Sequence, residues 1–551
     1  MEEESYALQQ GGKRLRIVTA AEMAEIDRRA RDEYGISTRE LMENAGGELA
    51  SVILENDNIE NILVLCGPGN NGGDGLAAAR KLAENDKQVT VLLSVSPSAL
   101  KEEPLFQYRL ATESGIKIFS PEDKGYALVK QQIEEFDCVV DALLGIGVHS
   151  PPKGEILELI NSTRQGRFIV SADIPTGIHP DTGMSLGNHV NANRTVTFGL
   201  PKPFLFQNDG LIASGQYTIA DIGFPWELVE NAGHAFLLTP LWLIEHLHIR
   251  PVAAHKRSAG VVLVIAGAEE FPGAAALTAM GAYRAGAGLV VVASIPTVLN
   301  AVTMHLPECP LVPLSSEEGC ISPDSLSRLL EAVSRCNAVA IGPGLSRKTP
   351  AKEFLSLFFA KLDKPCVLDA DALYFLPEIS EMPRVKAVLT PHEGEAARLM
   401  KTDASEIRKD RFESVRELAK KYQTTVLLKG PYTLITAPNQ DVAVNPMGNQ
   451  LLATGGTGDV LTGMIATNLA IGMEPYDAAA LAAYLHGFVA DLLAEDFEGY
   501  QGALASEIAN AIPKARKQFM EILAEQFRNG DEEEDEDDED VRLERFEESE
   551  N

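Results

Sequence analysis

The sequence predicts two consecutive α/β domains built on largely parallel sheets. Short β-branched runs alternate with helical patterns along the whole chain, as βα units with strands covered on both faces require. A hydrophobic content of 45 % over 551 residues excludes wholesale disorder and supplies two large cores. At about 150 residues per domain the length suggests three or four units, but single α/β domains reach about 250, so two is an equally fair division.

Two sets of strands are separable. The first comprises runs at Ile62–Cys66, Val89–Leu93, Asp137–Val140, Phe168–Ala172 and Thr195–Phe198, with a further candidate at Gln216–Ala220. A stretch over Trp226–Arg250 shows no strand alternation. The second set follows at Val261–Ala266, Leu289–Ala293, Ala338–Ile341, Cys366–Leu368, Ala387–Leu389 and Thr425–Leu428. The reading therefore divides the chain into a short extension (1–16), a first domain (17–228), a second (229–530) and a tail (531–551). No repeat of fixed period is visible.

The chain carries 80 Asp and Glu against 48 Lys and Arg, a formal charge of -32. Its tail, Asp531–Asn551, holds 14 acids and two arginines, so self-repulsion predicts that it stays unfolded. The body is acidic too and has no basic patch, which disfavours nucleic acid and anionic membrane surfaces as partners. Cys66, Cys138, Cys309, Cys320, Cys336 and Cys366 lie in or beside apolar segments without CxxC spacing, as core residues do. The start, Met1-Glu2-Glu3-Glu4, lacks a basic stretch followed by an apolar one, and no apolar run approaches the roughly 18 residues of a membrane span. A soluble protein of the reducing cytoplasm is expected.

After the first strand comes Gly67-Pro68-Gly69-Asn70-Asn71-Gly72-Gly73-Asp74-Gly75, then the helix formers Leu76–Lys81. A strand, a glycine turn and a helix start form an anion cradle, since glycines admit a phosphate and the helix N-terminus adds about half a positive charge. The spacing satisfies GxGxxG, but the next strand ends Leu93-Ser94-Val95-Ser96 without the acid that holds a ribose, which disfavours an ordinary NAD dehydrogenase. The alternative is a tight turn with no ligand; Asn70, Asn71 and Asp74 exceed what such a turn needs. Asp141 and Asp173 follow strands, at the carboxyl ends where open sheets bind ligands. With Asn71 and Thr176 they offer hard oxygen ligands for an alkali or alkaline-earth cation.

The second set ends in Ala453-Thr454-Gly455-Gly456-Thr457-Gly458-Asp459, followed by a helical run. Amides at such a helix start stabilise charge on a transferring phosphoryl group, and the carboxylate beside them accepts a proton from the attacking hydroxyl. A glycine loop without chemistry is the competing reading. Thr390-Pro391-His392-Glu393-Gly394-Glu395-Ala396 and Lys429-Gly430-Pro431-Tyr432-Thr433 also follow strands. The histidine lacks HExxH spacing, so zinc is disfavoured; a structural role and a site role stay open for it.

Together, Gly69–Gly75, Asp141-Ala142-Leu143-Leu144-Gly145-Ile146-Gly147, Asp173-Ile174-Pro175-Thr176-Gly177 and Thr197-Phe198-Gly199-Leu200-Pro201-Lys202 resemble the NAD(P)H-hydrate epimerase family. The resemblance implies a Rossmann-like three-layer sandwich. It implies that Asn70, Asn71, Gly72, Gly73, Asp74, Gly145, Ile146, Gly147, Val148, His149, Ser150, Pro151 and Asp173 contact the hydrated nicotinamide nucleotide. It also implies a potassium ion on Asn71, Asp141 and Thr176, with Asp173 as first candidate for acid/base work and Lys202 as second.

The motifs of the second half, with His255-Lys256, Phe271-Pro272-Gly273-Ala274-Ala275, Gly342-Pro343-Gly344 and Asp369-Ala370-Asp371-Ala372-Leu373, resemble the ADP- or ATP-dependent NAD(P)H-hydrate dehydratases. That family has a ribokinase-like fold. The resemblance implies hydrate contacts from Ala274, Gly344, Pro391, His392, Glu393, Gly394, Glu395, Ala396 and Asp459. For the nucleotide it implies Lys429, Gly430, Pro431, Tyr432, Thr433, Asn449, Thr454, Gly455, Gly456, Thr457 and Gly458. Asp459 is the implied base, magnesium the companion of ADP or ATP, and homo-oligomers the assembly. Two rival readings stand beside this: a small-molecule kinase of the same fold, and a first domain that binds nucleotide without catalysis.

Overall fold

The computed structural model describes residues 14–164, 166–379, 382–497 and 500–522. The expected unfolded tail at 531–551 lies outside the described residues. The chain forms two compact units: Met1–Thr239 with Ala404–Ser414 and Gln440–Val444, and Pro240–Asp403 with Val415–Asn439 and Asn445–Asn551.

The main sheet of the first unit has seven strands, all paired in parallel. Across the sheet they run Lys117–Phe119, Gln88–Leu93, Asn61–Cys66, Cys138–Ala142, Ile169–Ala172, Arg194–Phe198 and Gln216–Ala220. Counted along the chain that is the order 3-2-1-4-5-6-7, a doubly wound topology. The first strand shows why its sequence is apolar at every position. Ile62, Val64 and Cys66 sit in one buried cluster, whereas Leu63 and Leu65 sit in another. Period-two alternation sends them to opposite faces, and both faces are covered. Each such side chain contributes about 1.5–3 kcal/mol on burial.

Strand order reverses between Asn61–Cys66 and Cys138–Ala142, which places the ligand crevice at their carboxyl ends. Two predicted details change there. The helix begins at Asn70 and runs to Glu84, so the glycine motif lies inside its first turns. Asp141 belongs to its strand rather than following it, and Asp137 precedes that strand, accepting hydrogen bonds from the amides of Asn61 at 2.9 Å and Glu60 at 3.1 Å. The stretch read without strands contains one, Ala235–Leu237, paired with Leu15–Ile17 and Val442–Val444. Three residues are too few for alternation to register.

In the second unit the strands run Leu311–Pro313, Leu289–Ser294, Val261–Ile265, Ala338–Ile341, Cys366–Leu368, Ala387–Leu389, Thr425–Leu428 and Leu434–Thr436. All pair in parallel except the last, which is antiparallel to its neighbour. Order reverses between Val261–Ile265 and Ala338–Ile341. Helices Pro272–Ala285 and Thr457–Ala470 pack closely because Gly281 and Gly463 lack side chains. A Cβ would meet Val460 O at 2.3 Å in the first case and Thr278 O at 2.1 Å in the second. One expectation fails: the helix Pro475–Ala494 is long and apolar enough to cross a membrane, with mean hydropathy 1.3. Two-thirds of that window is buried in this fold (67 %), so its apolarity is that of a core helix.

Candidate functional sites

Gly67 leaves the first strand so close to the next one that a Cβ would lie 1.7 Å from Leu143 O. A Cβ on Gly72 would lie 2.0 Å from Gly67 O, one on Gly73 2.5 Å from the Met42 sulfur, and one on Gly75 2.5 Å from Ala142 Cβ. At Gly72, Gly73 and Gly75 close packing therefore leaves no room for a side chain. Gly69 differs: nothing stands within 4 Å of its Cβ position, and it caps the helix without a side-chain bond. The open helix start faces a cavity of about 550 Å³.

Asn70, Asn71, Asp74, Gly145, Ile146, Gly147, Val148, Asp173 and Lys202 line this cavity; Gly72, Gly73, His149, Ser150 and Pro151 are not on the lining. Asp173 sits just past its strand with φ +65°, a strained conformation for a residue with a side chain. Lys202 is buried, being 1 % exposed. Its Nζ donates to Asp173 Oδ1 at 2.7 Å, Phe198 O at 2.8 Å and Thr197 Oγ1 at 3.1 Å, so all three protons are engaged. Burial pushes the Asp74 carboxyl well above its usual range, helped by the nearby charges of Asp173 and Asp27. Three charged residues of the lining were not singled out from sequence: Asp27 and Arg31, on the helix Ala20–Tyr34, and Lys101.

Behind this wall Asp141 is fully buried. It accepts from Thr176 Oγ1 at 2.7 Å, Thr176 N and Ser171 Oγ at 2.9 Å, and Leu143 N at 3.3 Å. Burial raises its carboxyl, and these bonds oppose the rise. Asn71 is 7 % exposed, yet neither its side-chain oxygen nor its nitrogen has a partner among the described residues. An orphaned amide oxygen near the start of the helix and a buried carboxylate on the adjacent strand are hard oxygen donors, the kind an alkali or alkaline-earth cation takes.

In the second unit, Gly456 caps the helix Thr457–Ala470 in the left-handed region, φ +95°, where a β-carbon would also meet Leu277 at 2.5 Å. Gly455 has open space around it. Helix geometry supplies no internal acceptor for the first-turn amides of Gly458 and Asp459. Thr457 and Gly458 line a cavity of about 420 Å³, with Lys429, Gly430, Pro431, Tyr432, Thr433 and Asn449 from the predicted nucleotide set. Asn445 and His486 also line it and were not found by motif reasoning. His486 is buried, which pushes its imidazole down to about 4, and its Nε2 has no hydrogen-bond partner among the described residues.

Asp459 stands in the first turn of that helix, beside Gly458 but off the lining of this cavity, in a charged cluster. Lys429 Nζ donates to Asp369 Oδ1 at 2.8 Å and lies 3.9 Å from Glu395 Oε2. Thr462 Oγ1 donates to Asp369 Oδ2 at 2.9 Å. Burial pushes Asp459 up to about 7; the charge of Asp369 adds to the rise and Lys429 opposes it. Asp369, 2 % exposed, thus organises the cluster, although the sequence marked it only as part of a motif.

His392 caps the helix Glu393–Met400: its Nδ1 accepts from Gly394 N at 3.0 Å, while Glu395 Oε2 accepts from His392 N at 2.9 Å. Of its two open roles, the structural one is visible. Lys429 N donates to Pro391 O at 2.8 Å, tying that loop to the cluster. Gly344 and Ala274 adjoin each other, a Cβ on the glycine lying 3.0 Å from Ala274 Cβ.

Residues 38–204 match the family model described as YjeF-related protein N-terminus, and residues 262–514 match the model described as NAD(P)H-hydrate dehydratase. The chain is 37 % identical over 525 residues to the bifunctional NAD(P)H-hydrate repair enzyme Nnr of Moorella thermoacetica, covering 92 % of this chain and 97 % of that protein. The chain belongs to the bifunctional NAD(P)H-hydrate repair enzymes. The Escherichia coli (strain K12) member is 33 % identical over 491 residues, covering 89 % and 91 % of the two chains. A solved ADP/ATP-dependent NAD(P)H-hydrate dehydratase from Bacillus subtilis, co-crystallised with ATP/Mg2+, is 33 % identical; the match covers 51 % of this chain and 97 % of that one, with a TM-score of 0.44.

Proposed function

We propose that the first cavity interconverts the R and S hydrates of NADH or NADPH, and that the second site dehydrates the S form at the expense of ADP or ATP. The placement of Asp459 carries this reading: a carboxylate in the first turn of a glycine-capped helix, beside a cavity formed by Lys429–Thr433 and Gly458. The ring hydroxyl attacks the terminal phosphoryl of the nucleotide, Asp459 takes its proton, and the helix-start amides hold the developing charge. Phosphate then leaves, expelled by the ring nitrogen lone pair, and loss of the proton on the adjacent ring carbon restores the dihydronicotinamide. Phosphorylation converts a poor leaving group into a good one. Hydration yields both epimers, and a stereospecific dehydratase needs the other one converted.

In the first cavity Lys202 positions Asp173 on the lining through a 2.7 Å hydrogen bond, which makes Asp173 the acid/base candidate and Lys202 its support. Asn71, Asp141 and Thr176 would hold potassium, whose charge would offset the buried carboxylate. Magnesium would arrive on the phosphates of the nucleotide. The six cysteines are buried and unpaired, which suits a reducing cytoplasm. The assembly we expect is a homo-oligomer.

The test is to incubate the protein with mixed hydrates and either nucleotide, following the absorbance of the reduced ring and inorganic phosphate. Recovery of absorbance with equimolar phosphate supports the reading; a stable phosphoester would make the second unit a kinase instead.

A further inference from the structure

Inversion at the hydrated carbon needs a proton donor for the departing hydroxyl and an acceptor for the water that returns to the other face. Asp173 serves as acceptor: its carboxyl lies on the cavity lining, positioned by the Lys202 ammonium at 2.7 Å. Lys202 is unsuited to donate: its three protons are held by Asp173, Phe198 O and Thr197. The cavity must supply a donor elsewhere.

We propose that Asp27 is that donor, a role that rests on the epimerase reading of this cavity. Asp27 comes from the helix Ala20–Tyr34, whereas Asp173 comes from a strand end, so the cavity receives the two carboxyls from different elements. The Asp27 side chain is half-buried on the cavity lining, and no hydrogen bond or ion pair engages it among the described residues. Asn71, buried on the same lining, has its side-chain nitrogen unpartnered among the described residues as well as the oxygen assigned to the cation, and that nitrogen independently marks a surface prepared for a polar ligand.

The step balances. Asp27 gives its proton to the ring hydroxyl, the C–O bond breaks, and water leaves as the ring nitrogen lone pair forms a C=N bond. A water then adds to the opposite face; the new C–O bond forms as Asp173 takes its proton. Asp173 then gives its proton to solvent and Asp27 takes one from it, which resets both groups for the next turnover. Nothing is oxidised or reduced.

Burial pushes the Asp27 carboxyl up to about 6, with Lys202 opposing, Asp173 adding and Arg31 opposing. Asp74 and Lys101 are the remaining charged groups on this lining. A donor works in its protonated form, so epimerase kcat falls as pH rises above about 6.

The experiment follows R-to-S conversion by chiral chromatography in the full chain carrying Asp459→Asn, which silences the second site. Asp27→Asn is expected to lower epimerase kcat by about 100-fold or more, with KM changed less than about threefold. Asp27→Glu should restore part of the rate, and the decline above about pH 6 should vanish in Asp27→Asn. Denaturant unfolding of Asp27→Asn, with the transition of the first unit unchanged from the parent, is the folding control. An Asp27→Asn chain that keeps a third of the parent kcat, or that loses only KM, overturns the proposal. If the parent itself fails to interconvert the hydrates, the epimerase reading falls and not merely the donor.

Discussion

Lys202 and Asp173 form a buried ion pair, Nζ to Oδ1 2.7 Å, at the carboxyl end of the first sheet. The lysine also donates to Phe198 O and Thr197 Oγ1, so the charge is fully solvated by protein. Removing one member of such a pair leaves the other buried and uncompensated, at a cost of about 3–5 kcal/mol.

Lys202→Met should therefore lower the stability of the first unit by that order and abolish epimerisation. Denaturant unfolding checks the first effect and chiral chromatography the second. Wild-type stability in Lys202→Met would show that the pair is not the strut described.

Dehydration should rise with pH through about 7, the value to which burial lifts Asp459. The sign follows from its role: a base acts when deprotonated, so kcat/KM climbs below that point and flattens above it. Epimerisation is predicted to run the other way above about 6. A flat dehydratase profile between about pH 5.5 and 8.5 would remove Asp459 as the titrating base.

Asp369→Asn takes away the charge that helps raise Asp459 and frees Lys429 to act on it. Both changes favour the ionised form of Asp459. The acid limb of the dehydratase profile should move to lower pH, with reduced kcat because Lys429 loses its anchor. An unmoved limb would show that Asp369 does not act on Asp459.

Gly67→Ala should cripple the first site, because the added Cβ meets the rigid backbone at Leu143 O. Overpacking of this kind costs about 1–3 kcal/mol. A displaced loop of about 1 Å costs on the order of 100-fold in rate. Gly69→Ala, with nothing within 4 Å, is the steric control and should fold normally.

Replacing potassium with a bulky quaternary ammonium ion should slow epimerisation, and Asn71→Ala should raise the potassium concentration needed. The expected shift is about tenfold, the scale of one lost interaction of about 1.4 kcal/mol. An epimerase indifferent to potassium would assign the unpartnered Asn71 amide to the substrate instead.

Much of this architecture was legible in the sequence because buried parallel strands are apolar at every position, and Ile62–Cys66 or Ala338–Ile341 carry that mark plainly. The strands Ala235–Leu237 and Val442–Val444 do not, since three residues carry no usable period. Motifs reported where Asp459, Asp173 and Asn71 would stand, but not what each glycine does: Gly72, Gly73 and Gly75 answer to neighbours distant in sequence. His392 likewise leaves a structural and a site role open in sequence, and only the fold shows its Nδ1 accepting from Gly394 and Glu395. Asp27 and Asp369 stayed hidden for the converse reason: one lies on an ordinary amphipathic helix, the other within a motif that states no role.

The most direct measurement compares wild type with Asp459→Asn on pure S hydrate and ADP or ATP, recording ring absorbance, phosphate and nucleotide binding together. The wild type should regenerate the reduced ring with one phosphate per turnover, and the variant should bind nucleotide while losing turnover by about 1,000-fold or more. A variant that keeps most of the wild-type turnover would contradict the assignment of Asp459 as the base beside the helix-start amides.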